Sequence, residues 1–263
     1  MGKLRNGTSI AAMMHVYHDD IWLPFAYSST YETADAYYFI VNSVPWHGSA
    51  TDNSSTLKVI EALPDPENKK KILKGYWPDE VAQRNFAIDS ISQDLHSHVF
   101  IVDADEIYQS ATLPQAFSYA LDRPEVGCWH TKMVTYWKSA RYRVDPIEPF
   151  DPPIFFEIGR GSFVEARNIL ADAHELIPPE HILCHHMSYA RPNELIKRKL
   201  SHFSHALQLV PNWYEDKWLA WDSNHALEDL HPVMPEQFKR IVEVQPEILP
   251  KILVPIWERG GLP

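Results

Sequence analysis

The first part of the chain alternates short apolar runs with segments of helical periodicity. SIAAMMHVY, AYYFIV and HVFIV are rich in β-branched or aromatic residues and hardly broken by polar ones. That is the pattern of strands covered on both faces, and so of a parallel sheet. Between them, apolar positions recur at helical spacing. One segment carries Ile21, Trp22 and Phe25 behind a candidate cap, Asp20; a second, TLKVIEAL, carries Leu57, Ile60 and Leu63 behind Ser54 or Ser55. A third, PDEVAQRNFAIDSISQDL, opens on Pro78, with Asp79 and Glu80 where the helix dipole favours acids. Its apolar stripe is Val81, Ile88, Ile91 and Leu95, and Arg84 falls inside that stripe. The order predicts an α/β fold with right-handed crossovers, an open, mostly parallel sheet flanked by helices, and ligands at the carboxyl ends of the strands.

Past residue 110 the alternation fails. GCWHTKMVTYW and PPIFFEI read as strands, while RVDPIEPFDPP reads as a loop over the site. Trp129, Tyr136, Trp137 and Tyr142 fit either a core or an aromatic surface that stacks on a ligand. NELIKRKLSHFSHALQL reads as a helix packing through Leu195, Phe203 and Leu207, with the cations at 197–199 on a solvated face. From Val210 onward a Trp- and Pro-rich extension wraps the surface or serves in assembly. The division expected is one domain in three stretches, 1–110, 111–208 and an extension over 209–263.

Composition narrows the possible functions. The 263 residues are 45% hydrophobic and carry a formal charge of −11, which argues against general affinity for nucleic acid, since that needs a surplus of Lys and Arg. No apolar run approaches the roughly 20 residues of a membrane span, and no signal-peptide core precedes the first strand. Cytoplasmic residence, free or peripheral to a membrane, is the expectation. Two cysteines, Cys128 and Cys184, make no disulfide framework.

The chemistry concentrates in FIVDADEIY, residues 100–108, where an apolar strand runs into three carboxylates. Asp-x-Asp is a short pattern that arises by chance in an acidic chain, so its weight comes from its place at a strand end. Asp103 and Asp105 would repel each other unless neutralised. A hard divalent cation, Mn2+ or Mg2+, shared with a substrate diphosphate would remove the conflict. Arg84, on the buried side of its helix, needs a partner. Either it forms an ion pair with Asp89, Asp103 or Glu106, or it is a bidentate donor to phosphate in the same crevice.

In sequence, MMHVYHDD, YYFIVNS with TDNSSTLKVI, PDEVAQRNFAI and FIVDADE resemble the nucleotide-sugar half of family 2-type glycosyltransferases of the GT-A fold, over roughly residues 8–108. HHMSYARPNELIKRKLSHFSHA resembles, more loosely, the tail of a bacterial subgroup. The resemblance implies a GT-A-type, Rossmann-like sheet, with 1–110 as the nucleotide-sugar half and 111–208 as an irregular acceptor half, and transfer of a sugar from a nucleoside diphosphate donor to a saccharide or other hydroxyl acceptor. His15 and Tyr17 match positions lining base and ribose, and Arg84 matches the arginine facing the diphosphate. Asn42 stands where the family usually has a base-reading aspartate, which leaves the base open. Asp103 and Asp105 match the metal and ribose aspartates; both are expected as metal ligands, Asp103 also as a nucleotide-sugar contact and Asp105 as the catalytic one. No glycine-rich phosphate loop is present, as expected if a metal does that work. In the subgroup a histidine of the HH pair completes the metal site. His186 is favoured over His185, and a zinc site on Cys184 is disfavoured for want of a Cys-x-x-Cys pair. Among Asp145, Glu157, Glu165 and Glu175, Asp145 is the preferred acceptor base because it lies in the Pro-rich loop. A sugar-phosphate nucleotidyltransferase and a non-catalytic nucleotide-sugar or glycan binder are the rival readings.

Overall fold

The computed structural model describes residues 7–18, 21–203, 205–224 and 227–263. Its strands are β1 (Ile10–Val16), β2 (Ala36–Asn42), β3 (Lys70–Gly75), β4 (His98–Ile101), β5 (Glu106–Ile107), β6 (Cys128–His130), β7 (Met133–Trp137), β8 (Ser139–Asp145), β9 (Pro153–Glu157), β10 (Gly161–Glu165), β11 (Asn168–Ala171), β12 (His174–Leu176), β13 (Cys184–Tyr189) and β14 (Arg240–Glu243). The α-helices are α1 (Leu23–Thr30), α2 (Ser54–Ala62), α3 (Glu80–Gln93), α4 (Leu113–Leu121), α5 (Asn193–Leu200) and α6 (Val254–Glu258).

The main sheet runs β12-β6-β9-β4-β1-β2-β3. Four of its six strand pairs are parallel. This is the Rossmann-like α/β architecture that the apolar runs imply. Both faces of β1 and β2 are covered, and alternate residues feed two cores. Ala12, Met14, Tyr37 and Phe39 pack on the side of α1 and α4, whereas Met13, Tyr38, Ile40 and Ile101 pack against Ala87, Ile88 and Ile91 of α3. The sequence reading missed β3: KKILKG shows little apolar character because it is the lysine-bearing edge strand. With β3 in place, α3 returns from the edge past β2 and β1 to reach β4. The direction of winding switches between β1 and β4, where such sheets open a crevice.

Helix ends depart from expectation in detail. Asp20 lies outside the described residues, and Trp22 occupies the N-cap of α1. Ser54 and Ser55 sit in the first turn of α2, where Asp52 accepts from the Ser54 N–H at 2.9 Å. Asp79 caps α3 by accepting from the Ala82 N–H at 2.8 Å. Leu95, counted in the apolar stripe, lies past the helix end with φ 62° and is exposed. Likewise α5 stops at Leu200; Ile196 and Leu200 are its buried residues, and Leu207 is exposed.

The second sheet, β14-β8-β7-β13-β5, is mixed. Since β5 follows β4 after four residues, the Asp103–Asp105 segment is where the chain passes from one sheet to the other. Residues after Val210 are tied in firmly: β14 pairs with β8, and Trp213, Trp218, Leu230 and Phe238 bury against Trp137 and Tyr189. Gly261, at φ +87°, lets the chain approach β8 closely enough for the Ala140 N–H to donate to its carbonyl at 2.7 Å; a Cβ there would lie 2.8 Å from Ser139. Trp129, Tyr136 and Trp137 are core residues, and Tyr142 packs edge-on to Trp221. Among the described residues, no helix is long and apolar enough to cross a membrane.

Trp137 tests how the extension is held. It is fully buried beside Trp213 and Trp218, yet its indole N–H has no hydrogen-bond partner. Trp137→Ala should cost about 3–5 kcal/mol in denaturant unfolding and open the region after Val210 to proteolysis. Trp137→Phe should cost less than half as much, because no hydrogen bond is lost with the indole.

Candidate functional site

A cavity of about 550 Å³ opens at the carboxyl ends of β1 and β4. His15, Tyr17, Asn42, Arg84, Asp103, Asp105 and His186 all line it, whereas Asp145 does not. Sheet geometry accounts for the grouping. His15 is the penultimate residue of β1, Asp103 follows β4, and His186 of β13 pairs in register with Glu106 of β5, which brings a residue far along the chain beside the aspartates.

Each aspartate carries its own cations. Arg84 directs Nε to Glu80 Oε1 at 2.8 Å, Nη1 to His15 Nδ1 at 3.2 Å and Nη2 to both oxygens of Asp103 at 3.3 Å. Arg167, in the turn between β10 and β11, donates to Asp103 at 3.0 Å and grips Glu106, which is fully buried. Arg191 and the Lys199 ammonium of α5 each donate to Asp105 Oδ2 at 2.8 Å. Burial pushes both aspartates up, but Arg84 and Arg167 on one, and Lys199, His186 and Arg191 on the other, more than offset it and hold both carboxyls well below their usual range. Burial, with Arg84 next, lowers His15 well below its usual value and keeps the imidazole neutral. The repulsion expected between the two aspartates is therefore already relieved by side chains. Lys199, expected on a solvated face, points into the cavity.

The other candidates sort by what they touch. Asn42 lines the cavity, but its amide bonds the backbone of Trp77, donating to the carbonyl at 3.0 Å and accepting the N–H at 3.2 Å; this latches the end of β2 to the approach of α3. The Tyr17 hydroxyl meets Thr51, and the ring lies edge-on to His18. Alternation along β13 separates the two histidines: His185 is buried against the Tyr136 hydroxyl and driven down to about 3 by burial, while His186 faces the cavity.

Asp145 ends β8 opposite Arg240 of β14, with its carboxylate 2.6 Å from that guanidinium and 3.3 Å from Arg143. The Pro-rich loop does overhang the site as expected, but the carboxylate it delivers is Glu148. Glu148 is buried, accepts from the Thr135 hydroxyl, and is raised above its usual range by burial despite His186 and Thr135. The sequence held no signal separating it from Asp145.

His186 Nε2 stands 3.7 Å from Asp105 Oδ1. Thr135 gives its only hydroxyl hydrogen to Glu148, so it must accept from His186 Nδ1–H, 3.2 Å away. The Nε2 edge of the ring thus faces a carboxylate oxygen, with the far ring nitrogen anchored, as in metal-ligating histidines. The pair fits two protein ligands of one divalent cation. Asp103 is turned away to Arg84 and Arg167, so the remaining ligands would have to come from water or a bound diphosphate.

Two variants probe the ionic cluster. Arg167→Met strands the buried Glu106 carboxylate and should destabilise by about 3–5 kcal/mol. Asp105→Asn removes the shared anion of Arg191 and Lys199 and should lower stability at pH 7 by about 1.5–3 kcal/mol, where mutual repulsion alone would have made it stabilising. Asp105 has a depressed folded value, so its contribution is present above the unfolded carboxylate value near 3.9 and fades as pH falls toward the folded one. Unfolding curves of wild type and Asp105→Asn should therefore converge on acidification below about pH 4.

No protein-family model matches the chain, and no curated protein matches it in sequence. Among solved structures it is similar to glucosyl-3-phosphoglycerate synthase from Mycobacterium tuberculosis in complex with Mn2+, uridine diphosphate and phosphoglyceric acid, at 12% identity and a TM-score of 0.36 over 48% of this chain and 44% of that one. It is also similar to 4-diphosphocytidyl-2C-methyl-D-erythritol synthase from Anaerococcus prevotii, at 10% identity and a TM-score of 0.41 over 73% of this chain and 95% of that one. A third is mannose-1-phosphate geranyltransferase from Thermus thermophilus, at 11% identity and a TM-score of 0.32 over 74% and 61%. The chain thus spans less than half the length of the first. These are distant likenesses, and the functional reading rests on the residues of the cavity.

Proposed function

We propose that the protein is a glycosyltransferase moving a sugar from a nucleoside diphosphate donor to an acceptor hydroxyl, with Mn2+ or Mg2+ as cofactor. The observation that carries this reading is the Asp105–His186 pair, a cation-ready couple set among Lys199, Arg191 and Arg84 at the switch point of a parallel sheet. Asp105 and His186 would hold the ion, and the imidazole favours manganese over magnesium. When bound, the ion supplies positive charge beside the diphosphate.

The chain's own residues do the rest. Lys199 and Arg191 stabilise the charge that develops on the departing diphosphate as the bond from the anomeric carbon to the phosphate oxygen breaks. Arg84 acts as a positioning residue, aligning Asp103 toward the donor ribose and fixing the His15 ring. Tyr17 and Trp46, both on the cavity wall, flank the base. Glu148 accepts the proton of the acceptor hydroxyl as its oxygen attacks; burial raises its pKa toward the range of a useful base.

A panel of nucleoside diphosphate sugars with Mn2+ should reveal one donor that slowly releases free nucleoside diphosphate. Pyrophosphate release from a nucleoside triphosphate and sugar phosphate, or binding without turnover, would defeat the proposal. Glu148→Gln should reduce transfer by about 10²–10⁴-fold with donor binding retained, and Asp145→Asn should leave transfer unchanged. His186→Ala should raise the Mn2+ concentration needed for half-maximal activity, with metal-free nucleotide binding intact.

A further inference from the structure

Away from the cavity, three donor groups meet on one face of the far edge of the main sheet. Cys128 and His130 are two residues apart on β6, so both project to the same side. His174 of β12 pairs in register with Cys128, which puts its side chain on that side as well. The Cys128 Sγ lies 3.8 Å from His130 Nε2, which lies 2.9 Å from His174 Nδ1, and one ligand atom from each residue falls within 4.8 Å of the others. Among the described residues this is the one such triad of His, Cys, Asp or Glu.

The hydrogen bonding already suits a ligand set. His130 Nδ1 is 2.7 Å from the Asp151 carbonyl, which can only accept, so the proton sits on Nδ1 and the Nε2 lone pair points at the other two donors. A backbone carbonyl holding the far nitrogen is the usual support of a metal-bound imidazole. In the free protein His174 donates its Nδ1 proton to His130; a shift of that proton to Nε2, on an exposed ring, frees the second lone pair. Cys128 is buried, and its only competing role is as a small apolar residue.

We infer that Cys128, His130 and His174 bind a borderline-soft divalent cation of the Zn2+ class through one sulfur and two nitrogens, with the fourth position open to solvent beside His174. Ligand separations near 3.5 Å follow from metal–sulfur and metal–nitrogen bonds of about 2.3 and 2.0 Å in a tetrahedron, so the histidines need to part by only a fraction of an ångström. Binding releases the thiol proton. Burial pushes that thiol up to about 12, so the ion has to displace a proton. The site joins β6 to the three-residue strand β12 at the sheet edge, where a cross-strand staple has most to stabilise.

The test uses Co2+ alone, added to the purified full chain in the absence of nucleotide. A thiolate-to-cobalt charge-transfer absorption with intense tetrahedral d–d bands should grow to one equivalent and vanish on adding Zn2+. His174→Ala, at an exposed position that should fold normally, should weaken the band strongly; Cys128→Ser should abolish it; Asp105→Asn should retain it. Zn2+ at about 100 times its dissociation constant should raise Tm by about 5 °C in wild type and not in His174→Ala. No charge-transfer band in wild type would overturn the inference, as would a band of undiminished strength in His174→Ala or one persisting in Cys128→Ser, which would place the sulfur at Cys184.

Discussion

A fully buried carboxylate, Glu106, and the guanidinium that answers it, Arg167, set the geometry of this molecule at its most sensitive point. Leaving either alone would strand a charge in a dry environment, at a cost that few domains tolerate. Around that pair stand Asp103 and Asp105, each with further cations. Arg84 comes from α3, Arg167 from the β10–β11 turn, Arg191 from the end of β13 and Lys199 from α5. Elements from both sheets thus converge on one stretch of four residues, and the cavity wall follows from where those cations must stand.

The sequence disclosed the part of this arrangement that is local. Runs that are apolar throughout betray strands buried on both faces, and a strand end betrays its own polar residues; His15, Asp103, Asp105 and the inward Arg84 were legible for that reason. The strand β3 was not, because an edge strand needs no second covered face and can afford lysines. Nor were the counter-charges, since Arg167, Arg191 and Lys199 lie 64, 86 and 94 residues from the aspartates they serve. A run of cations on a helix usually faces water, and only the tertiary fold turned Lys199 inward. Asp145 stands away from the cavity for a similar reason: the loop was recognised, but the β8–β14 pairing that diverts Asp145 to Arg240 joins residues 95 apart.

The cations also change how ligand binding at the two aspartates should be pictured. In the free protein Lys199 and Arg191 neutralise Asp105, so the metal cation of the proposed function would displace positive charge there rather than fill a bare anionic hole. The diphosphate of the proposed donor would then receive the displaced side chains. The two proposed ligands would favour each other through this exchange of partners, a form of reciprocal coupling.

The residues that follow Val210 carry a consequence in time. His231, Met234 and Gln237 wall the cavity, β14 borders the second sheet, and Gly261 closes against β8. On a ribosome that emits the chain from its N-terminus at about 5–20 residues per second, the strands holding Asp103 and Asp105 emerge well before that wall does. For an interval of seconds the wall that covers those carboxylates and the tryptophan-lined face is still missing, and exposed apolar surface of that kind makes an incomplete chain prone to aggregate.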